Sequence, residues 1–452
     1  MNISDLKTVY FIGIGGIGMS AIARFFREKG ATVKGYDRTA TDLTRTLTSE
    51  GIEIHYEDNT SLLDKDAEVV VYTPAIPNEH EELNWYRNKG YSVLKRSDVL
   101  QLITQELFAI TVAGTHGKTT ISTMIAYLLR ETGFGSYAFL GGVSVNYNSN
   151  YWSSSNQVAV IEADEYDRSF LKLHPDVAVL TSMDPDHLDI YGTVEEMEDA
   201  FIQYTKNIKH NGSLLVKHGL KRSVDLQASH TITYSLQNSA ADAYADNVIQ
   251  KQGGYVFSVV NKYGVLENVK LNIGGMHNVE NAVAAITVAQ MLEVESSKIK
   301  DALAGFRGVH RRFEYVLKND KVVFIDDYAH HPEELSSLVK SVKRLFPDRK
   351  AVVAFQPHLF SRTRDLAEGF AHSLDEADEV LLLDIYPARE LPIEGVTSRM
   401  IADKMGNPNH TILSKEALIQ YVKAAPLDLF VTAGAGDIDN LVPTIKEILE
   451  NK

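Results

Sequence analysis

Lys118 follows Gly117 and precedes Thr119 and Thr120 in the run Gly114-Thr115-His116-Gly117-Lys118-Thr119-Thr120. Glycines let backbone N–H groups approach an anion, lysine neutralises phosphate oxygens, and a threonine hydroxyl is an oxygen donor for a hard divalent cation. Together these residues can hold a chain of phosphates with its metal ion. The general phosphate-loop pattern places a further glycine six residues before the lysine, where Val112 stands, so this is a shortened loop. The competing reading, a glycine turn with an incidental lysine, leaves the flanks unexplained. An apolar run at residues 107–113 precedes the loop, and Ile121, Met124, Ile125, Leu128 and Leu129 follow it at the spacing of one buried helix face.

A second chemical signal is acidic. The apolar run 158–161 ends in Glu162, with Asp164, Glu165 and Asp167 close behind. A carboxylate at a strand end downstream of a phosphate loop suits magnesium, which binds oxygen donors next to β- and γ-phosphates. On its own the run also fits a solvated acidic loop. The run 177–181 leads into Asp184-Pro185-Asp186-His187-Leu188-Asp189, which can bring His187 to the same sheet edge.

Gly13-Ile14-Gly15-Gly16-Ile17-Gly18, with Asp37 closing the next strand, satisfies a dinucleotide-binding fingerprint. Such a loop recognises pyrophosphate, so NAD and a nucleotide sugar fit it equally. Further along, Asn278 and Asn281 can read an adenine edge or cap a helix. Arg311 and Arg312 bring concentrated positive charge that can clamp phosphate or serve as a basic linker. Asp326-Asp327-Tyr328-Ala329-His330-His331-Pro332 and the segment 356–364 each follow an apolar strand, where ligands of open α/β sheets bind. Arg362 in the second of these suits a small carboxylate.

The elements that must position these groups read as α/β throughout. Strand patterns at residues 8–12, 32–36 and 68–72 alternate with helical ones, and a second series starts at 107–113. Short alternating segments such as 255–260 add an antiparallel appendage to that second series. From Arg311 the pattern resets, with strands at 322–325, 351–355, 380–383 and 429–432. Three domains are expected, at residues 1–104, 105–310 and 311–452, since 452 residues exceed what one hydrophobic core organises.

With no cysteine, the chain has no disulfide, thiolate nucleophile or Cys-based metal centre, and a reducing compartment fits. A net charge of -15 opposes binding to nucleic acid or an anionic membrane. No stretch reads as a membrane span or a secretory leader, so a cytoplasmic, soluble protein without membrane insertion is expected.

Taken in order, GIGGIGMS, GTHGKTT, EADEYD, DPDHLD, MHNVENA, RRFE, DDYAHHP, QPHLFSRT, DIYPARE and TAGAGDID resemble the Mur ligases, over nearly the whole chain. The resemblance implies a Rossmann-like N-terminal domain for a UDP-sugar and a central phosphate-loop ATPase domain with a mainly parallel sheet plus a small antiparallel one. It also implies a Rossmann-like C-terminal domain for an amino acid. Within the family the pattern is similar to members that join L-alanine to UDP-N-acetylmuramate at the expense of ATP, with Mg2+, to make peptidoglycan precursor.

By that resemblance Gly15, Gly16, Ile17 and Gly18 serve the UDP-sugar, joined by Asp37 from the fingerprint, and residues 114–120 hold ATP together with Asn278, Asn281 and Arg312. Thr119, Glu162 and His187 are magnesium ligands, Tyr328, His330 and Arg362 surround the amino acid, and Lys118, His187 and Arg312 carry the catalysis. Leu359 stands where family members commonly carry arginine, and residues 73–76 stand where serines are common. The base that takes the amine proton stays open among His187, His330 and His331. A monomer or homodimer is expected.

Overall fold

A computed structural model describes residues 3–185, 188–388 and 390–452. The chain divides into two compact units. One comprises Met1–Ala245, Val259–Leu266 and Glu280–Ala302, and the other Asp246–Ser258, Glu267–Val279 and Leu303–Lys452.

The first unit begins with a five-stranded parallel sheet in the order Glu53–His55, Thr32–Tyr36, Thr8–Ile12, Val69–Tyr72, Ser92–Lys95. Side chains alternate across a strand, so Thr8–Ile12 feeds two cores at once. Val9 and Phe11 join Met19, Ile22, Ala23 and Phe26 of the helix Ile17–Glu28, while Tyr10 and Ile12 pack with Leu83 and Tyr86 on the opposite face. The strand order reverses at Thr8–Ile12, whose neighbours lead to opposite edges of the sheet. That reversal opens a crevice at the strand's carboxyl end, where the first glycine loop lies.

The central sheet has ten strands. Its middle runs Ser213–Lys217, Val177–Leu180, Phe108–Ala113, Val158–Glu162, Tyr137–Ser144, all parallel, with Ser149–Trp152 antiparallel at one edge. Beyond Ser213–Lys217 come His230–Ser235, Ala243–Lys251, Gly254–Asn261 and Gly264–Leu271, so the appendage expected from the sequence extends this sheet. Phe108–Ala113 is buried along almost its whole length, which explains its unbroken apolar sequence.

The second unit carries a six-stranded sheet, ordered Glu314–Lys318, Val323–Asp327, Leu429–Ala433, Ala351–Phe355, Glu379–Leu383, His410–Leu413. Only the first pair is antiparallel. Phe324, Val352, Ala354, Leu381 and Phe430 on one face pack against Leu418, Val422, Ile445 and Leu449 from the covering helices. Among the described residues no helix is long and apolar enough to cross a membrane.

Candidate functional site

Phe108–Ala113 lies between Val158–Glu162 and Val177–Leu180, with Val112 opposite Glu162 and Ala113 opposite Leu180. Three strand ends therefore deliver the second glycine loop, Glu162 and the segment after Leu180 to one edge. The loop turns on two glycines in conformations that L side chains avoid, Gly114 at φ +129° and Gly117 at φ +80°. A Cβ on Gly114 would stand 2.1 Å from Thr181 Oγ1 and 2.7 Å from the Ser182 nitrogen. Gly117 caps the helix Lys118–Glu131, so the first helical N–H groups face the loop.

The loop is anchored from the neighbouring strand. The His116 N–H donates to Ser182 Oγ at 2.9 Å, Thr115 Oγ1 lies 2.8 Å from the same hydroxyl, and Asp184 N–H donates to Thr115 Oγ1 at 3.2 Å. Lys118 Nζ folds back over the loop, donating to the Gly114 carbonyl at 2.7 Å and to Glu165 Oε1 at 2.8 Å. Burial raises the carboxyls of Glu162 and Glu165 above the usual carboxylate range, and the Lys118 charge offsets only part of that rise.

Thr119 Oγ1 donates to Glu162 Oε1 at 3.1 Å, and the Gly141 N–H donates to Glu162 Oε2 at 3.0 Å. A hydroxyl and a carboxylate side by side at the loop form an all-oxygen donor set, which fits a hard cation such as magnesium. His187 lies outside the described residues. Asn281 Oδ1 would be 3.2 Å from a Cβ on Gly117, which places it beside the loop. Asn278, in the second unit, turns its amide back to the Gly274 carbonyl at 2.6 Å, near the start of the helix Met276–Met291.

The first glycine loop is built differently. Gly13, at φ +86°, and Ile14 both donate their N–H groups to the Tyr36 carbonyl, at 2.8 and 3.0 Å. Asp37 Oδ2 accepts the Gly15 N–H at 2.7 Å and its Oδ1 the Thr39 N–H at 3.2 Å. Gly16 caps the helix that starts at Ile17, and Gly18 lies in its first turn. Among these expected sugar-nucleotide residues Asp37 orders the loop itself.

In the second unit Arg312, Tyr328, His330 and Arg362 come together at the ends of Val323–Asp327 and Ala351–Phe355. The Arg312 guanidinium lies 5.2 Å from the centre of the Tyr328 ring, and that of Arg311 lies 4.9 Å from it. His330 and Tyr328 meet edge to face, and Arg362 Nη1 approaches His358 Nδ1 at 3.4 Å. Burial lowers His330 below the usual histidine range, and burial with the nearby Arg362 brings His358 to about 4. Both rings are therefore neutral at neutral pH. Asp327 fixes the strand end, accepting the Phe313 N–H at 2.6 Å and the Ala329 N–H at 2.7 Å. His331 caps the helix Pro332–Leu345 instead of joining the cluster. Leu359 holds φ +71°, a conformation uncommon for a residue with a side chain, pinned by its N–H to the Tyr386 carbonyl at 2.9 Å.

Reading from sequence misses Gly141 and Ser182, and gives His358 and Glu165 no role. The pair Gly141-Gly142 inside a strand was an available signal, since glycine there marks a close approach, here of the Glu162 carboxylate. The other three become visible only when separate strand ends are brought together.

Family models match along the chain. The Mur ligase family catalytic domain covers residues 8–107, the Mur ligase middle domain 112–289, and the Mur ligase glutamate ligase domain 311–436. The UDP-N-acetylmuramate–L-alanine ligase of Cytophaga hutchinsonii is 46% identical, covering 100% of this chain and 99% of its own. The corresponding ligase of Parabacteroides distasonis is 48% identical over 99% of this chain and 98% of its own. The crystal structure of the UDP-N-acetylmuramate–alanine ligase of Thermotoga maritima superposes with a TM-score of 0.82 at 28% identity, covering 99% of each chain. With relatives this similar from end to end and family models on all three sheets, the chain belongs to the Mur ligase family.

Proposed function

We propose that this chain joins L-alanine to UDP-N-acetylmuramate with ATP and Mg2+, in the cytoplasm, as a step of peptidoglycan precursor synthesis. The observation that carries the reading is the second glycine loop, with Lys118 laid over it and Thr119 facing Glu162. The domains are proposed to be residues 1–104 for the nucleotide sugar, 105–310 for ATP and 311–452 for the amino acid.

A carboxylate is a poor electrophile, so the reaction runs in two displacements. A lactyl carboxylate oxygen attacks the γ-phosphorus, and the bond from phosphorus to the β-bridging oxygen breaks, releasing ADP and leaving an acyl phosphate. The alanine amine then attacks the acyl carbon, the bond from that carbon to the phosphate oxygen breaks, and inorganic phosphate leaves with both electrons. Lys118, the loop N–H groups and Arg312 offset the negative charge on the transferring group. Magnesium, when bound, adds Lewis-acid stabilisation of the same oxygens, with Thr119, Glu162 and His187 proposed to hold it. Arg362 pairs with the amino acid's carboxylate, and Tyr328 borders it. The ammonium must lose a proton before attack, and His330, which meets the Tyr328 ring, is proposed to take it.

A nicotinamide-dependent oxidoreductase is the reading from another class. It needs the acid after the second strand to face ribose hydroxyls, whereas Asp37 is engaged by the amides of Gly15 and Thr39. Titration with NADH separates the two, because the ligase reading expects no saturable binding.

The direct test measures phosphate release with ATP, Mg2+ and UDP-N-acetylmuramate while the amino acid is varied. Release that needs the nucleotide sugar and rises most with L-alanine supports the proposal. Release that ignores the nucleotide sugar, or that responds only to a preformed peptide, overturns it.

A further inference from the structure

The carboxylates after Glu162 form a turn whose positive partners come from two sources. Lys118 reaches Glu165 from the second glycine loop. From the other side Arg96 Nη2 donates to Asp164 Oδ2 at 3.0 Å. Asp164 is itself fixed, its Oδ1 accepting the Tyr166 N–H at 3.1 Å and its carbonyl accepting the Ser169 hydroxyl at 3.0 Å and the Phe170 N–H at 3.1 Å. Asp167 and Arg168 sit at φ +53° and +61°, so surrounding contacts hold the turn in a conformation the backbone does not favour.

Arg96 opens the helix Arg96–Glu106, and its Nη1 lies 2.4 Å from where a Cβ on Gly18 would be. The guanidinium therefore crosses the first turn of the helix that the first glycine loop leads into. A cation is disfavoured at the positive end of a helix unless an anion is close. Asp164 supplies one anion, and the diphosphate of a nucleotide sugar on that loop supplies another. Helix Arg96–Glu106 is also bound to the acidic segment by the ion pair of Lys172 with Asp98. Val99 and Ile103 share one core with Phe170 and Leu173. Arg96 thus spans from the floor of one glycine loop to a residue between Glu162 and Glu165.

We propose that Arg96 is a positioning residue which, through Asp164, sets the spacing between the diphosphate loop and the phosphoryl-transfer loop, so that the acceptor carboxylate meets the γ-phosphate. The proposal rests on the ligase reading above and adds a residue to it. A misplacement of about 1 Å costs on the order of a hundredfold in rate, so the effect belongs in kcat.

The test uses the full-length chain with Arg96→Ala, Arg96→Lys, Asp164→Asn and the Arg96→Ala/Asp164→Asn double variant. Kinetics of product formation are measured beside ATP-analogue affinity by calorimetry. Arg96→Ala is expected to lose roughly a hundredfold in kcat, and Asp164→Asn to lose a comparable factor. ATP-analogue affinity is expected to stay within about threefold of the unsubstituted chain, which also reports an intact fold. Lysine keeps the charge without the planar fork, so Arg96→Lys is expected to leave KM for the nucleotide sugar unchanged and to lose kcat as Arg96→Ala does. The double variant is expected to be no worse than the worse single one, because both break one link. Losses that multiply in the double variant, or either alanine or asparagine single variant within twofold of the unsubstituted kcat, overturn the proposal while leaving the ligase reading intact. An unsubstituted chain that makes no product overturns both.

Discussion

The two glycine-rich loops of the first unit occupy equivalent places, each following a central parallel strand and leading into a helix, yet the groups that hold them differ. Around the first, the Gly15 amide is held by the carboxylate of Asp37. Around the second, the anchors are neutral hydroxyls and carbonyls, the cation Lys118 lies across the loop, and carboxylates stand beyond it. Backbone N–H groups suffice to seat a diphosphate that does not react. A phosphate that must be transferred needs charge already fixed in place at the moment of reaction, which is what a lysine held over the loop supplies. Under the proposed function, one fold device serves as a holder in one place and as a reactive centre in the other, and the side chains around it decide which.

That contrast breaks most sharply at Lys118. Lys118→Ala is expected to lower phosphate release by about a thousandfold, the scale of removing a principal transition-state contact, while UDP binding to the first loop is unchanged. Stopped assays and UDP calorimetry check the two halves. Next comes the metal side: Glu162→Gln is expected to raise the magnesium concentration for half-maximal activity by at least about tenfold, read from magnesium titrations at saturating ATP. Gly114→Ala tests the close approach. Its Cβ would meet Thr181 and the Ser182 backbone, so a loss of roughly 1–3 kcal/mol in stability is expected, seen in denaturant unfolding, with weakened ATP binding. The mildest change is Asp37→Ala, which frees the Gly15 amide at a cost of about 1 kcal/mol. It is expected to weaken UDP several-fold and to leave ATP affinity alone, so an equal effect on both ligands would erase the distinction between the loops.

Both loops were legible in the sequence because each is framed by a long apolar strand and an amphipathic helix, patterns that depend only on local burial. The strand ending in Glu162 was legible for the same reason. Several strands were not, and four of them share one cause: Glu53–His55, Ser92–Lys95, Glu314–Lys318 and His410–Leu413. Each lies at an edge of its sheet, and none contains a buried residue, so no apolar alternation marks them. Of the site, residues within one motif could be named in advance. Arg96 beside Gly18, Gly141 beside Glu162 and Ser182 beside His116 could not, since each pairing depends on which strands become neighbours.

The acyl phosphate is tested most directly by isotope transfer. UDP-N-acetylmuramate carrying oxygen-18 in both oxygens of its lactyl carboxylate is turned over with ATP, Mg2+ and L-alanine, and the released phosphate is analysed by mass spectrometry. If a carboxylate oxygen takes the γ-phosphoryl group and departs with it, each phosphate carries one heavy oxygen and the amide keeps the other. Phosphate free of the label, formed alongside the amide, would contradict transfer to the carboxylate.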